Sequence, residues 1–324
     1  MAILEKRIAI FFIITSNFSA MKILFKFFLI LFLLLFISGL HFLDIENGLL
    51  KDSFLIWNFR IPKILAAVFG GGALGVSGLI MQSVFRNPLA GPFVLGISSG
   101  ASLGVALVSL SGFAIHFFSV VPAAISGASL VIFVVLFCSK FLKSNASLLI
   151  CGLMIGYLCD ACVSFLVSVS EAKALKDFIT WGMGSFSKLT IEDAPLFCIS
   201  ILFCFIPIIL SVKYLNLAPL GDFFVKSHGL NPDFYKKISL FAASVLAGIV
   251  SAYCGPIAFL GLATPHFAYA LFKTNKHQIL IPATFLISAF IALMAAFVSL
   301  IPLQSFMSLV GCPVILWVLL RRKQ

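Results

Sequence analysis

The chain has 324 residues, of which 62% are hydrophobic and only 10% are charged, and its mean hydropathy is +1.18. Soluble domains are about half apolar and about a quarter charged, so this composition excludes a soluble globular protein and predicts a polytopic membrane protein. The formal net charge of +11 would suggest nucleic-acid binding in a soluble domain. In a membrane protein the positions of the charges matter more than their sum, and we expect no nucleic-acid partner.

Ten apolar segments approach the length of about 20 residues that a membrane-spanning helix needs. They are residues 23–40, 61–84, 94–111, 117–138, 148–169, 194–212, 238–254, 256–272, 278–299 and 303–320. The eighth is interrupted by Gly255-Pro256 and Thr264-Pro265, whose freed backbone groups need partners from neighbouring helices or a cavity. The sequence therefore predicts an all-α protein with one transmembrane domain over residues 21–324.

The basic residues predict the orientation of these spans. Most of the 22 Lys and Arg residues fall in segments that are cytoplasmic if the chain starts inside. Cytoplasmic loops of membrane proteins carry an excess of Lys and Arg. We therefore expect ten spans with both the N-terminus and the C-terminus in the cytoplasm.

Residues 1–20 precede the first span and combine a basic start, a short apolar stretch and a small-residue end. This pattern is typical of a signal peptide. A second basic-then-apolar run begins at Met21, and it suffices as the first span. We interpret residues 1–20 as an extension or a misassigned start, with translation beginning at Met21. A cleaved signal peptide is the alternative, and it would invert the topology.

The stretch RNPLAGPFVLGISSGASLG, residues 86–104, is polar and glycine-rich between two apolar runs. Arg86 favours the cytoplasmic side, and Pro88 and Pro92 can end and restart helices. Residues 96–100 match G-x-S-x-G, but a hydrolase needs a strand, a turn and a helix around that serine, with His and acid partners. The chain shows no such triad, so we interpret the stretch as a turn and the start of the third span.

The second span carries small residues at four-residue spacing, namely Ala67, Gly71 and Gly75. They fall on one helical face and predict close packing of backbones. Asp160 is the acid that lies well within a span, where ionisable residues are functional candidates; a structural, hydrogen-bonded Asp near Ser164 is the alternative.

Two further polar features are ambiguous. His266 is either a metal or proton site or a packing residue, since no H-E-x-x-H surrounds it. Cys159 and Cys162 form C-x-x-C, but within a predicted span and without a second pair. We interpret all eight Cys as small packing residues and expect no metal site.

The longest cytoplasmic segment, residues 213–237, has an amphipathic pattern. Gly229 can end a first short helix, and Asn231-Pro232 can begin a second. Two short helices with an apolar face suit the groove of a partner protein. The alternative is a helix that lies on the membrane surface. On the outer side, residues 171–193 predict a surface helix and turn, with Trp181 as an anchor at the membrane interface.

The chain has no G-x-x-x-x-G-K-[ST] motif, so it cannot bind ATP phosphates through a P-loop. Energy-driven transport would draw on another chain or on an ion gradient.

Several motifs in one order resemble the FecCD-type, BtuC-like permeases of ABC importers for iron-siderophore complexes, haem and vitamin B12. The matching segments are RIPKILAA (60–67), GLIMQSVFRNPLAGPFVLGISSGASLG (78–104), WGMGSF (181–186), LGDFFVKSHGL (220–230), GPIAFLGLATPH (255–266), HQILIP (277–282) and GCPVILWVLL (311–320). They cover about residue 22 to the end. The resemblance implies a BtuC-like fold of ten helices per subunit.

The resemblance also implies partners. They are a second permease subunit, either identical or paralogous, two cytoplasmic ATPase subunits, and a periplasmic or lipid-anchored substrate-binding protein. The implied cargo is an iron chelate (siderophore, citrate or haem) or cobalamin. The implied location is the bacterial inner membrane. This chain itself would bind no cofactor and catalyse no reaction, because ATP and Mg are used by the ATPase.

Site residues follow from the resemblance position by position. The ATPase-coupling helices would contain Leu220, Gly221, Asp222, Phe223, Phe224, His228, Gly229 and Leu230. Arg60 and Lys63 match basic positions that face acidic residues of the binding protein. Along the translocation pathway the resemblance places Gln82, Asn87, Pro88, Ser98, Ser99 and Gly100.

The chain departs from the family in residues 292–313, where the ninth span of the family ends in an Asp and an Arg. Here the segment ALMAAFVSLIPLQSFMSLVGCP carries no charge and is several residues shorter. One outer docking cation is therefore missing, and docking would rest on Arg60 and Lys63 alone; a divergent binding protein and a non-functional paralogue are the alternatives. Two other functions stay open at this point, an ion-coupled secondary transporter that uses Asp160 and an intramembrane enzyme.

Overall fold

The computed structural model describes residues 22–40, 43–44, 48–49, 53–110, 119–142, 144–298 and 302–321. The predicted extension at residues 1–20 and the start at Met21 lie outside these residues. The regular secondary structure of the described part is helical except for a pair of two-residue antiparallel strands, β1 (Leu43–Asp44) and β2 (Gly48–Leu49). The all-α fold class is confirmed.

The helices follow one another through the chain in the order that hydropathy predicts. They are α1 (Lys22–Leu40), α2 (Ser53–Phe85), α3 (Ile97–Ser109), α4 (Val120–Cys138), α5 (Asn145–Val169), α6 (Ala172–Gly182), α7 (Ala194–Leu210), α8 (Val212–Leu217), α9 (Asp222–Ser227), α10 (Pro232–Cys254), α11 (Leu260–Phe272), α12 (His277–Phe297) and α13 (Leu303–Arg321). Each of the ten predicted spans overlaps one of these helices.

Not every overlapping helix is long enough to cross a membrane by itself. Among the described residues, 6 helices are long and apolar enough, and the pair Ala194–Leu210 and Val212–Leu220, bent by 55°, would make 7. Helix α3 and the apolar part of α13 are shorter. The number of ten spans stays a prediction.

Helix α2 is the central element of the fold. It starts at Ser53, two turns before the predicted boundary at residue 61, so Arg60 lies inside the helix. Two wider, π-helical turns at Ile56–Arg60 and Ala66–Gly70 flank Pro62, which has no backbone N–H to donate. The last fifteen residues, Gly71–Phe85, are all buried, and α10, α11 and α12 pack around them.

The small residues of α2 allow this close packing. A methyl group added at Gly71 or Gly75 would lie 2.4 Å from Ala292 Cβ or 2.5 Å from Ser288 Cβ of α12. The Ser288 hydroxyl donates a hydrogen bond to the Gly71 carbonyl over 2.6 Å. The predicted helix-packing role of this face is confirmed.

We expect Gly78→Ala to lower the thermal stability of the purified protein, because the added methyl would lie 1.6 Å from the Gly261 carbonyl oxygen. Backbone atoms cannot rotate away, and such overpacking costs about 1–3 kcal/mol. Scanning fluorimetry in detergent measures the shift. Gly39→Ala in α1 is the control, since nothing lies within 4 Å of its added methyl. An equal midpoint temperature of thermal unfolding for the two variants would contradict the packing argument.

Two details of the sequence analysis are wrong. The helix that begins at Pro232 is not short, because it continues without a break to Cys254 as α10. The Asn231 side chain caps it by accepting hydrogen bonds from the N–H groups of Asp233 and Phe234. Trp181 is not an anchor at the membrane interface, because its ring is buried in the protein and stacks on Phe178 at 6.2 Å.

Candidate functional site

The segment between α8 and α10 presents apolar side chains to the surface. Leu220, Phe223 and Phe224 are 60%, 80% and 47% exposed, while Val225 points into the protein and is buried. Gly221 has a φ of 110°, a conformation that favours glycine, and it separates a single 3-10 turn from α9. The buried Val225 therefore holds α9 against the protein, while two rings and a leucine stay uncovered in the isolated chain.

The turn after α9 is also ordered by local hydrogen bonds. His228 Nδ1 lies 2.8 Å from the Phe224 carbonyl oxygen, and Gly229 adopts a positive φ of 75°. Leu230 is half-buried and donates its N–H to the Val225 carbonyl over 3.2 Å. Gly229 ends the first short helix as predicted, and the coupling role of these residues stays a prediction.

Arg86 joins this segment to the end of α2. Its Nη2 donates to Asp222 Oδ1 over 2.5 Å, and its Nε donates to the Ala218 carbonyl over 2.6 Å. Arg86 itself ends α2 in the left-handed conformation, with φ 52° and ψ 34°. Within the described part of the chain, this is the one ion pair. A displacement of α9 would thus pull directly on the last turn of α2.

Polar contacts tie the same turn of α2 to the neighbouring helices. The Gln82 amide donates to the Leu262 carbonyl of α11 over 3.0 Å. Ser83 Oγ lies 2.7 Å from Nε2 of the buried His277, the first residue of α12. Gln82 was predicted to line the pathway, and here its side chain is bonded within the protein.

A further link reaches α5 and α10. The Asn145 amide donates to the Val84 carbonyl over 3.0 Å, and Lys236 Nζ donates to Asn145 Oδ1 over 2.6 Å. These bonds are formed by residues distant in sequence, so no local pattern could have predicted them.

A cavity of about 660 Å³ opens beside this end of α2. Its lining includes Gln82, Asn87, Pro88, His266, Tyr269 and His277. His266 Nε2 lies 3.1 Å from the Pro88 carbonyl oxygen, which supports the packing interpretation of this histidine. No group of three or more His, Cys, Asp or Glu that could hold a metal ion occurs among the described residues.

The start of α3 is packed against other helices of the same chain. Gly96 precedes it with a φ of 72°, Ser98 is buried and Ser99 is half-buried. A methyl added at Gly100 would lie 2.7 Å from the Gly127 carbonyl oxygen of α4. No strand precedes Ser98 in the described residues 53–110, so the nucleophile elbow of a hydrolase is not formed. The pathway role of these residues stays a prediction.

Two lysines line a second cavity, of about 460 Å³, at the opposite end of α2. One is Lys63, a predicted docking residue that is half-buried like Arg60. The other is Lys188, whose Nζ donates to the carbonyls of Trp181 and Thr180 over 2.9 and 3.2 Å. Burial lowers the pKa of Lys188 to about 8. Neither lysine has an acidic partner in the part of the chain that the structure describes.

Sequence analysis did not single out Lys188, although it lies two residues after the WGMGSF motif, in the segment placed on the outer side. Ala295, Ala296 and Pro302 of the uncharged segment form the facing wall of the cavity. The shortened region therefore contributes no charge there.

Asp160 lies on the exposed surface of α5. Ser164 Oγ donates to the Asp160 backbone carbonyl over 2.8 Å, so the serine does not bond the carboxylate. Cys159 is buried and Cys162 is exposed, and both are free thiols. Nothing among the described residues completes a metal or redox site around them.

Comparison with known proteins gives a consistent result. A sequence profile of the FecCD transport family matches residues 9–321. The vitamin B12 import system permease protein BtuC of Klebsiella pneumoniae is 32% identical over 281 residues, which cover 84% of each chain. A protein of Helicobacter pylori, named a probable iron chelatin transport system permease, is 32% identical over 293 residues, or 87% of each chain.

Among solved structures, a metal-chelate type ABC transporter in an inward-facing conformation superposes with a TM-score of 0.82 at 28% identity. The match covers 92% of this chain and 99% of that chain. These relatives are transport proteins, which favours the importer hypothesis over an ion-coupled transporter and over an intramembrane enzyme.

Proposed function

Because the chain belongs to the FecCD transport family, we propose that it carries an iron chelate or cobalamin into the cytoplasm, driven by ATP hydrolysis in a separate subunit. It is an ABC importer permease of the FecCD type and a multi-pass inner-membrane protein. The cargo class rests on its relatives, one of which is named for vitamin B12 and another for iron chelatin. We place both termini in the cytoplasm from the distribution of Lys and Arg.

The observation that carries the proposal is the exposed apolar surface of Leu220, Phe223 and Phe224 beside the Arg86–Asp222 ion pair. An uncovered pair of phenylalanines on a short helix fits the groove of a partner protein. The ion pair would pass a movement of that partner to α2, whose last fifteen residues are all buried. We therefore assign the ATPase-binding surface to residues 220–230.

The outer end of α2 fits a different partner. Arg60 and Lys63 carry positive charge without an acidic partner in the described chain, and such cations steer and orient an acidic surface. We assign them to docking of a periplasmic or lipid-anchored substrate-binding protein. The working unit would contain two permease subunits, identical or paralogous, and two ATPase subunits. ATP and Mg would be bound by the ATPase, and this chain would bind no cofactor.

We expect Phe223→Asp to abolish binding of the ATPase subunit and with it ATP-driven uptake. The side chain is 80% exposed, so the substitution places a charge on the surface without opening a core. Aromatic side chains that become buried when a partner binds contribute much of the binding free energy, and the loss of one costs about 2 kcal/mol or more. Co-purification of the ATPase with the tagged permease measures the effect.

Phe141→Asp is the matched control, since Phe141 is 70% exposed in the loop between α4 and α5 and lies outside the proposed surface. If the ATPase subunit still co-purifies with the Phe223→Asp permease and its ATP hydrolysis is still stimulated by the transported ligand, residues 220–230 are not the ATPase-binding surface.

A further inference from the structure

The polar side chains in the outer half of α5 lie along one side of the helix. They are Tyr157, Asp160, Ser164 and Ser168, spaced by three, four and four residues, and all four are exposed. With 3.6 residues per turn, this spacing places them in a single stripe. We call these four residues the α5 stripe.

The other sides of α5 are apolar or packed. Gly152, Gly156 and Cys159 are buried, and Gly156 lies against Gly96 and Ser99 of the segment that begins α3. Cys162 is exposed, but its direction is about 200° around the helix from Asp160 at about 100° per residue. Helix α5 thus packs by its glycine side and turns its polar stripe outward.

The α5 stripe lies at membrane depth. Asp160 is about 22 Å along the helix from Asn145 at about 1.5 Å per residue, within a 25-residue helix that is apolar enough to span the bilayer. A carboxylate at that depth is unfavourable against lipid tails, and such residues face a bundle interior or a water-filled cavity. The surface of the isolated chain offers neither.

The rest of the described chain does not satisfy these groups. Ser164 and Ser168 donate to carbonyls of their own helix, which uses their hydroxyls. The Asp160 carboxylate and the Tyr157 hydroxyl form no hydrogen bond or ion pair within the described residues. Only 17% of the span of α5 is buried inside the chain. A second protein surface and water are needed beside the stripe.

We propose that Asp160 is a charge filter in the passage between the two permease subunits of the proposed assembly, with the α5 stripe of each subunit in the passage wall. A twofold axis brings the same face of two subunits together, so both carboxylates enter the same space. Rings of acidic side chains favour cations and disfavour anions in narrow passages. The cargo is then a neutral or cationic chelate, and anionic chelates of the citrate type are disfavoured.

This inference rests on the proposed permease function and narrows its cargo class. Its test needs neither the ATPase nor the binding protein. The probes are two thiol reagents of similar size and opposite charge, a trimethylammonium and a sulfonate methanethiosulfonate. They are applied to the full chain with Ser164→Cys in proteoliposomes, and the wild-type chain gives the background from its native thiols.

We expect Ser164→Cys to react with both reagents and to react faster with the cationic one. A local potential of about one kT separates reagents of charge +1 and −1 by about sevenfold. Each rate is divided by the rate of the same reagent with a free thiol in solution, and adding Asp160→Asn is expected to bring the ratio of these normalised rates close to one. Glu171→Gln, which removes an acid after the end of α5, is the matched control and should leave the ratio unchanged.

Three results would overturn the proposal. A Ser164→Cys chain that elutes as folded protein but reacts no faster than wild type would place the α5 stripe against lipid. A ratio that Asp160→Asn leaves unchanged would remove the charge filter. Failure of a bifunctional thiol reagent to cross-link Ser168→Cys chains into dimers would remove the second copy. The Phe223→Asp experiment tests the proposed function through ATPase binding. The thiol labelling rates and the cross-linking do not depend on its result, because they need no ATPase.

Discussion

Reversal of the charge at Arg86 is expected to reduce ATP-driven uptake by about tenfold, equivalent to ~1.4 kcal/mol of lost coupling. Reversal of Asp222 in the same chain, giving Arg86→Glu with Asp222→Arg, is expected to restore most of it. The reason is geometric, because Arg86 ends α2 and holds Asp222 and the Ala218 carbonyl at once. Without it, α9 can move while α2 stays in place.

The thermal stability of these variants should change little. The Arg86 and Asp222 side chains are 36% and 68% exposed, and exposed ion pairs contribute about 0–1 kcal/mol to folding. A loss of uptake at nearly constant stability therefore separates transmission of movement from folding. Uptake and ATPase activity in proteoliposomes are measured together, and we expect ATP hydrolysis to continue while uptake falls.

Lys226→Glu is the matched control, because Lys226 is exposed on the same helix α9 and forms no ion pair among the described residues. If Lys226→Glu reduces uptake as much as Arg86→Glu, the effect comes from the net charge of the surface and not from the pair. If the swapped pair fails to recover uptake while each chain folds, the pair does not transmit movement.

The positions of the helices could be predicted from sequence because hydropathy reports directly which segments can be buried or face lipid. The start of α2 could not. The predicted boundary was set beside Arg60, but backbone hydrogen bonds continue through a charged residue, and the helix reaches back to Ser53. The helix that begins at Pro232 was misjudged for the same reason. Its first turns are polar, so hydropathy did not show that they continue into the apolar span that follows.

The sequence predicted which segments contain the candidate sites, but it did not predict which of their side chains are exposed or which residues pair. Alternation of polar and apolar residues identified the segment around α9, but it could not show that Phe223 is exposed while Val225 is buried. Arg86 and Asp222 are 136 residues apart in the chain, so their pairing depends on the tertiary fold. Gly100 illustrates the opposite problem, because a glycine suits both a passage wall and the close helix contact observed here.

The second large effect is expected at the outer end of α2. The double variant Arg60→Glu, Lys63→Glu should weaken docking of the substrate-binding protein by about tenfold or more at low salt, because like charges would then face its acidic surface. Both residues precede the fully buried part of α2, so the change alters the surface and leaves the core intact. Association rates measured on the reconstituted permease report the effect, since such charges act mainly on the rate of encounter.

The uncharged wall of the outer cavity supports the expected loss of docking, because it offers no other cation. Ala295, Ala296 and Pro302 cannot substitute for a lost cation, and Lys188 is held by two carbonyls at the end of α6. The difference between wild type and variant should shrink in high salt, where the Debye length falls from about 10 Å at 0.1 M to about 3 Å at 1 M. Lys173→Glu with Lys176→Glu makes the same change in charge on exposed positions of α6 and is expected to have a smaller effect. Equal loss in both double variants would mean that docking senses only the overall charge of the outer surface.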